Sequence, residues 1–168
     1  MVSNDWRRLA RHLLMTPWQL RSAFAPPTLH AIQAAIAAGE RSHAGQVRLA
    51  VEGALPVGAL LRGQPARERA LEVFSQLRVW DTEHNNGVLI YLLLADRDVE
   101  IVADRGIHAR VRPAEWKHIC REMEAAFGQQ RFRAGALEGI HAVTRLLAQH
   151  FPATGERVNE LPDRPIVL

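Results

Sequence analysis

Oxygen-bearing side chains are concentrated just before one apolar segment, residues 88–94, and just after another, residues 99–103. The candidate ligands are Asp81, Asn85, Asn86 and Asp104, together with the backbone at Gly106. Carboxylate, amide and backbone carbonyl oxygens are the ligands that hard divalent cations prefer. The pattern makes these residues candidates for a Ca²⁺ or Mg²⁺ site where the two segments meet.

Three histidines leave a nitrogen-rich zinc or nickel site open as an alternative. They are His43, His84 and His108. No His-x₃-His or Cys-x₂-Cys spacing accompanies them, although such spacing is typical of zinc sites. Ca²⁺ or Mg²⁺ is therefore favoured over Zn²⁺ as the cofactor.

From the residues alone, a purely structural interpretation is favoured over a metal site. Asp81 would cap a turn, residues 85–87 would supply turn residues that tolerate a positive φ, and Asp104 would pair with Arg105 at the surface. In that case these residues would only stabilise the conformation of the loops, and they would bind no ion.

A metal-dependent phosphomonoesterase is the catalytic alternative, with Asp104 and Arg105 as the candidate catalytic residues. Asp104 or Asp81 would hold the ion, and Arg105 would steady the phosphate, because a guanidinium group matches phosphate oxygens in a bidentate way. The chain has no Gly-x-Ser-x-Gly, Walker or dinucleotide-binding motif. We therefore expect no nucleotide cofactor.

The run Asp96-Arg97-Asp98 follows an apolar segment, as the nucleophile motif of aspartate phosphatases does. The fifth position is Glu100, where that motif has Thr or Val, and the following residues alternate as a paired strand would. We interpret the run as the turn of a β-hairpin.

The elements that must position these residues follow from hydrophobic periodicity. Helices are predicted over residues 5–15, from 16 onward, and over 26–42, 65–78, 113–127 and 137–151; strands are predicted over 46–52, 88–94 and 99–104. Two strands joined through a helix are almost always parallel, whereas a short polar turn makes a hairpin. The predicted fold class is α/β, a three-layer α/β/α sandwich with a small mixed sheet, preceded by N-terminal helices.

Three segments are expected along the chain. Residues 1–25 form an N-terminal amphipathic helical segment, residues 26–151 the α/β domain, and residues 152–168 an extended C-terminal tail. The strand over 46–52 alternates polar and apolar residues, which predicts that it is half-buried.

The predicted hairpin register pairs Leu94 with Val99. It would place Gly106 opposite Gly87, so that two glycines face each other at the mouth of the site.

The composition is that of an ordinary globular domain, with 168 residues, 48% hydrophobic and 23% charged. No apolar run approaches the roughly 18 residues that a membrane span needs, and arginines interrupt the N-terminal apolar residues where a secretory signal would be continuous. We expect a cytoplasmic protein, with peripheral attachment to the inner membrane surface left open.

The net charge is only +3 and the arginines are scattered, so we expect no nucleic-acid partner. The single cysteine, Cys120, is interpreted as a core residue.

The N-terminal helix combines an apolar stripe with positive charge. The stripe consists of Trp6, Leu9, Leu13 and Leu14. The basic residues beside it are Arg7, Arg8, Arg11 and His12. The stripe either lies on an anionic membrane surface, or packs on the domain's own core or on a second subunit. The shortness of the segment favours packing, and the oligomeric state is left open.

The motifs of the central region resemble those of the TPM domain family. The run from Arg78 to Ile107 carries Asn-Gly-Val-Leu on a strand, an Asp-Arg hairpin turn and a strand that ends at a glycine loop. Ser42-His-Ala-Gly-Gln-Val47 and Phe132-Arg-Ala-Gly-Ala-Leu137 resemble the segments that open the family's first strand and final helix. The resemblance covers residues 26–151.

The resemblance implies a compact α/β/α domain that is often attached to membranes through neighbouring segments. It also implies a link with membrane-protein maintenance, including photosystem repair in thylakoids, divalent-metal binding as in some members, and the acid phosphatase activity proposed for plant members. Many members carry Gly-Tyr-Gly-Leu-Glu after the third strand; here Gly106 matches and His108 replaces the acidic residue.

Residues and resemblance together predict a divalent-metal-binding accessory domain associated with membrane-protein maintenance. Its expected partner is a membrane protein or an anionic membrane surface. The alternative is a metal-dependent acid phosphatase.

Overall fold

The computed structural model describes residues 5–155 and 158–168 of the chain. The helices are α1 (Asp5–Leu14), α2 (Pro17–Ala23), α3 (Pro26–Gly39), α4 (Val57–Leu61), α5 (Ala66–Gln76), α6 (Arg105–His108), α7 (Pro113–Gly128) and α8 (Phe132–His150). The strands are β1 (Gln46–Glu52), β2 (Gly87–Leu93), β3 (Asp98–Ala103) and β4 (Ile166–Val167). None of the helices described is long and apolar enough to cross a membrane.

The strands form one mixed sheet in the order β3-β2-β1-β4. β1 runs parallel to β2, and β3 pairs with β2 in the antiparallel sense. Neighbouring residues of β2 point into different apolar clusters, since Ile90 packs with α3, α7 and α8 while Leu89 packs with α4 and α5. Helices therefore cover both faces of the sheet, and the predicted three-layer α/β/α sandwich is confirmed.

β1 is buried along its whole length, so the prediction of a half-buried strand is wrong. At its end, the Glu52 carboxylate accepts hydrogen bonds from Arg69 at 2.9 and 3.0 Å and from the Tyr91 hydroxyl at 2.6 Å. Burial and the Glu52 carboxylate raise the pKa of Tyr91, so its hydroxyl keeps the proton that it donates. The polar residues of β1 thus mark hydrogen-bonded groups inside the domain.

The C-terminal tail lies along the edge of β1 that β2 leaves free. Ile166–Val167 pair with β1 as the parallel strand β4. The Gln46 side-chain oxygen accepts the main-chain N–H groups of residues 160 and 161 at 2.9 and 3.1 Å. The Arg48 guanidinium donates to two main-chain carbonyl groups of the tail. These contacts explain why two polar residues of β1 are buried.

The observed hairpin register differs from the predicted one by two residues. Val99 pairs with Leu92 rather than with Leu94. Leu94 closes the turn instead, because its carbonyl group accepts the N–H of Arg97 at 3.0 Å. A shift of two residues keeps every side chain on its predicted face of the sheet. The turn comprises residues 94–97 and Asp98 begins β3, so the interpretation of this run as a hairpin connection, and not a phosphatase motif, agrees with the structure.

Charged residues hold α1 to the domain. Arg8 and Arg11 lie 2.8 and 3.1 Å from the carboxylate of Asp96, and His12 Nε2 lies 3.1 Å from the same group. The His12 side chain is buried, and its Nδ1 accepts the N–H of Leu55 at 3.0 Å. The ring proton therefore sits on Nε2, on the side of Asp96.

The apolar stripe of α1 faces away from the domain's own core, so the predicted packing on that core is wrong, while packing on a second subunit stays a prediction. Trp6, Leu13 and Leu14 are exposed, and Leu9 is partly buried. The physical reason is the acceptor at Asp96, which draws the basic side of the helix toward the domain and leaves the stripe outside.

Carboxylates crowd the hairpin end of β3. Burial and the negative charges of Glu100 and Glu124 raise the pKa of Asp98 to about 6. The folded protein thus holds more protons than the unfolded chain between about pH 4 and pH 6, and stability falls as the pH rises through that window. We expect Asp98→Asn to remove most of this fall and to raise the free energy of unfolding near pH 7.5 by about 2 kcal/mol.

Urea denaturation at about pH 4.5 and pH 7.5 measures this change. Glu122→Gln is the matched control, because Glu122 is exposed on α7 beside His118. An Asp98→Asn variant whose stability depends on pH as strongly as that of the unsubstituted protein would show that Asp98 is not the responsible group.

Candidate functional site

The loop before β2 and the loop after β3 meet at one edge of the sheet. Asp104, and not Gly106 as predicted, lies opposite Gly87, and its N–H donates to the Gly87 carbonyl at 2.8 Å. The N–H of Gly106 donates to the carbonyl of Asn85 at 3.1 Å. Main-chain hydrogen bonds therefore hold residues 85–87 against residues 104–106.

Asn86 ties these loops to the start of β1. Its Nδ2 donates to the carbonyl of Ala44 at 2.6 Å, and its own carbonyl accepts the N–H of Gln46 at 3.0 Å. Its N–H donates to the hydroxyl of Thr82 at 3.1 Å. Three segments distant in sequence thus converge, because parallel β1 and β2 begin at the edge where antiparallel β3 ends.

Two buried oxygens at this edge have no hydrogen-bond partner among the described residues. They are Asp104 Oδ2 and Asn86 Oδ1. The remaining polar atoms of these side chains have partners, since Asp104 Oδ1 accepts the N–H of Arg105 at 2.7 Å and Asn86 Nδ2 is bound as above. Buried polar atoms normally find a partner, so a pair of unpaired oxygens is the unusual feature of the edge.

Gly106 allows the close approach of the two loops. A Cβ atom at this position would lie 2.6 Å from the carbonyl oxygen of Asn85 and 2.9 Å from that of His84. The carbonyl oxygens of Asn85 and His84 thus point toward Gly106, and a larger side chain at this position would push them away. Asn85 has a φ of 50°, a left-handed conformation that asparagine tolerates well. Its side-chain Oδ1 accepts a hydrogen bond from Arg105 Nε at 3.2 Å.

The structure brings together four of the predicted ligands, Asn85, Asn86, Asp104 and Gly106. Asp81 stands apart: its side chain is 58% exposed, and the contact seen for it within the described part of the chain is Arg78 at 4.0 Å. Asp104 is therefore the single carboxylate among these four residues.

The nitrogen-rich alternative gains no support. His43 is buried, with Nδ1 3.1 Å from the carbonyl of Gly45, whereas His84 and His108 are exposed. Across residues 5–155 and 158–168, no group of three or more His, Cys, Asp or Glu side chains is arranged to hold a metal. A cation at this edge would need amide and main-chain oxygens.

The catalytic alternative stays a prediction. Asp104 and Arg105 are adjacent, but the Asp104 carboxylate caps α6 and the Arg105 Nε donates to Asn85. Cys120 is partly buried, and burial raises the pKa of its thiol to about 12, which makes it a poor nucleophile.

One contributor to the edge could not be found from sequence patterns. The Glu160 carboxylate accepts the N–H of Glu83 at 2.8 Å, and so the tail supports the loop before β2. The two residues are 77 positions apart, and the tail has no hydrophobic period that would place it there.

A model of the TPM domain matches residues 20–146 of this chain. The chain belongs to the TPM domain family. The matched segment contains every predicted ligand, while α1 and the tail lie outside it. The resemblance identified from the sequence motifs is thereby confirmed.

Two solved structures resemble this TPM domain. The BA42 protein from the psychrophilic bacterium Bizionia argentinensis, determined by NMR, is 28% identical with a TM-score of 0.74, covering 84% of this chain and 92% of that chain. The N-terminal domain of a protein from P. gingivalis is 20% identical with a TM-score of 0.61, covering 78% and 82%, and shows the fold alone. No curated protein is significantly similar to the chain.

Proposed function

We propose that this TPM domain is an accessory module that binds a divalent cation between the loops carrying Asn86 and Asp104. The observation that carries the proposal is the pair of buried, unpaired oxygens, Asn86 Oδ1 and Asp104 Oδ2. A buried polar atom without a partner costs about 1–3 kcal/mol, and more when it is charged. A cation between the loops would remove that cost.

The donor set favours Ca²⁺ or Mg²⁺ over Zn²⁺. Asp104 supplies one carboxylate, Asn86 an amide oxygen and Asn85 a main-chain carbonyl, which keeps a second lone pair after accepting the N–H of Gly106. Hard cations take oxygen ligands of these kinds, and affinity rises with the number of charged ligands. With one carboxylate, we expect a dissociation constant of about 10⁻⁴–10⁻³ M.

Membrane-protein maintenance is the role that we propose for the module. This proposal rests on what the resemblance to the TPM domain family implies. In this role the bound cation would order the loops that meet at the sheet edge, and a membrane protein would be the partner.

Asp104→Asn tests the cation site directly. The substitution removes the charge but keeps an oxygen that can cap α6, since asparagine is as good an N-cap as aspartate. In calorimetric titrations of chelator-treated protein with Ca²⁺ and with Mg²⁺, we expect the variant to bind at least about tenfold more weakly than the unsubstituted protein.

Glu122→Gln is the control for this experiment, because it removes an exposed carboxylate on α7. It should leave the titration unchanged. If millimolar Ca²⁺ and Mg²⁺ produce neither heat nor a shift in melting temperature with the unsubstituted protein, the proposal fails.

A further inference from the structure

Exposed apolar side chains are concentrated on one part of the surface. Among the described residues, eleven large apolar side chains are exposed. Six of them lie in two segments, residues 6–18 and 57–61: Trp6, Leu13, Leu14, Trp18, Val57 and Leu61. We call these six residues the apolar patch. Large apolar groups gathered in this way mark an interaction surface, whereas single ones do not.

The two segments of the apolar patch lie near each other, because α1 is hydrogen-bonded to residues on either side of α4. Arg8 of α1 donates to the carbonyl of Gln64 at 2.8 Å, and His12 accepts the N–H of Leu55 at 3.0 Å. α1 therefore lies beside the stretch that contains α4. Trp18 follows closely, because α2 begins three residues after α1 ends.

Within α1 the apolar members share one side of the helix. At 100° per residue, Trp6, Leu13 and Leu14 fall within a 100° arc, whereas Arg8 and His12 occupy a different arc. The Asp96 carboxylate holds that second arc to the domain. The helix is thus fixed with its apolar side outward, at 59%, 61% and 72% exposure for the three residues.

Positive charge lies beside the apolar patch. Residues 5–24 contain four arginines, of which Arg8 and Arg11 pair with Asp96. Arg7 lies over the ring of Trp6, 5.6 Å from its centroid, and Arg21 is exposed in the last turn of α2. Arg62 follows directly after α4 and is also exposed.

We propose that the apolar patch docks on an anionic lipid bilayer. Tryptophan and leucine on one side of a short helix enter the boundary between headgroups and acyl chains, and arginines beside them attract anionic headgroups. Each basic residue near such a surface contributes about 1 kcal/mol. The three α1 side chains are held facing outward before contact, so little conformational freedom is lost on docking.

A second copy of the chain fits the patch less well. A two-fold dimer places the same surface against itself, so the arginines beside the patch of one copy would be brought near those of the other. Like charges brought together in a desolvated interface are unfavourable. Anionic headgroups have the complementary charge.

Co-sedimentation of the full chain with vesicles tests the proposal. Vesicles that contain phosphatidylglycerol should bind the protein at low salt and release it as ionic strength rises, because screening weakens the arginine contacts. Vesicles of phosphatidylcholine alone should bind it much less. Arg21→Gln should weaken binding to anionic vesicles about fivefold at low salt.

Two matched pairs of variants separate the patch from general hydrophobicity. Trp18→Gln and Leu14→Gln should each weaken partitioning about tenfold, because each removes an exposed side chain of the patch. Trp80→Gln and Leu71→Gln remove exposed side chains elsewhere and should bind as the unsubstituted protein does.

Three results would overturn the proposal. The first is no co-sedimentation with anionic vesicles at low salt. The second is binding that all four variants leave unchanged. The third is a dimer, seen by sedimentation equilibrium without lipid, that Trp18→Gln dissociates and Trp80→Gln does not; a second copy would then be the occupant.

Discussion

Replacing Gly87 with alanine is expected to lower the free energy of unfolding by about 3 kcal/mol or more. A Cβ atom at this position would lie 1.9 Å from the carbonyl oxygen of Val79 and 3.0 Å from its Cγ1. Val79 is fully buried, and its N–H donates to the carbonyl of Phe74 at the end of α5. The backbone therefore has no room to yield without breaking the connection between α5 and β2. Urea denaturation followed by circular dichroism measures the loss.

Gly128→Ala is the matched control. Among the described residues, nothing outside the neighbouring part of its own helix lies within 4 Å of a Cβ built at Gly128, which ends α7. Alanine is a better helix former than glycine, so this variant should be neutral or gain up to about 1 kcal/mol. A Gly87→Ala protein as stable as Gly128→Ala would mean that the loop before β2 is held less tightly than the contacts indicate.

Asp96→Ala is expected to cost about 3 kcal/mol. The side chain is 10% exposed and accepts from Arg8 and Arg11 while lying 3.1 Å from His12. Its removal leaves the buried His12 facing an empty position and Arg8 with one partner fewer, so α1 should detach from the domain. Thermal and urea denaturation measure the cost, and proteolytic cleavage within residues 5–16 reports the detachment.

The same carboxylate gives the stability a defined dependence on acid pH. Burial alone would raise the pKa of Asp96, but hydrogen bonds from His12 and Arg8 and the charge of Arg8 lower it to about 2. Because the pKa is lowered in the folded state, this stabilisation is present above about pH 4 and is lost as the pH falls toward 2.

Asp81→Ala, measured without added cation, is the control for Asp96→Ala, since Asp81 is mostly exposed and lies 4.0 Å from Arg78. We expect a change within about 0.5 kcal/mol. Equal effects of the two substitutions would contradict the role given to Asp96.

The place where the polar loops meet at the sheet edge can be predicted from the sequence. A fully apolar segment at 88–94 and an alternating one at 99–103 determine where two strands begin and end, and hence where their polar loops meet. The register error of two residues left the faces unchanged but exchanged Asp104 for Gly106 opposite Gly87. The identity of the residue that closes a turn depends on local backbone conformation, which periodicity does not encode.

Other features depend on contacts between residues far apart in the sequence. Arg8 and Asp96 are 88 positions apart, and the pattern of α1 contains no signal that its basic side faces the domain. Gln46 and Arg48 are buried by tail residues more than a hundred positions away. The alternation of β1 therefore predicts a half-buried strand, because alternation records the polarity of the residues and does not record what covers them.

Mn²⁺ added to ¹⁵N-labelled protein tests the cation site most directly, because a bound paramagnetic ion broadens the amide signals nearest to it. Mn²⁺ takes the same oxygen ligands as Mg²⁺ and Ca²⁺. At substoichiometric Mn²⁺, we predict that the signals of residues 85–87 and 104–106 broaden first, and that Asp104→Asn abolishes this selectivity. Broadening centred instead on Asp98, Glu100 and Glu124, where the carboxylates are more numerous, or spread evenly over the chain, would contradict the proposed site.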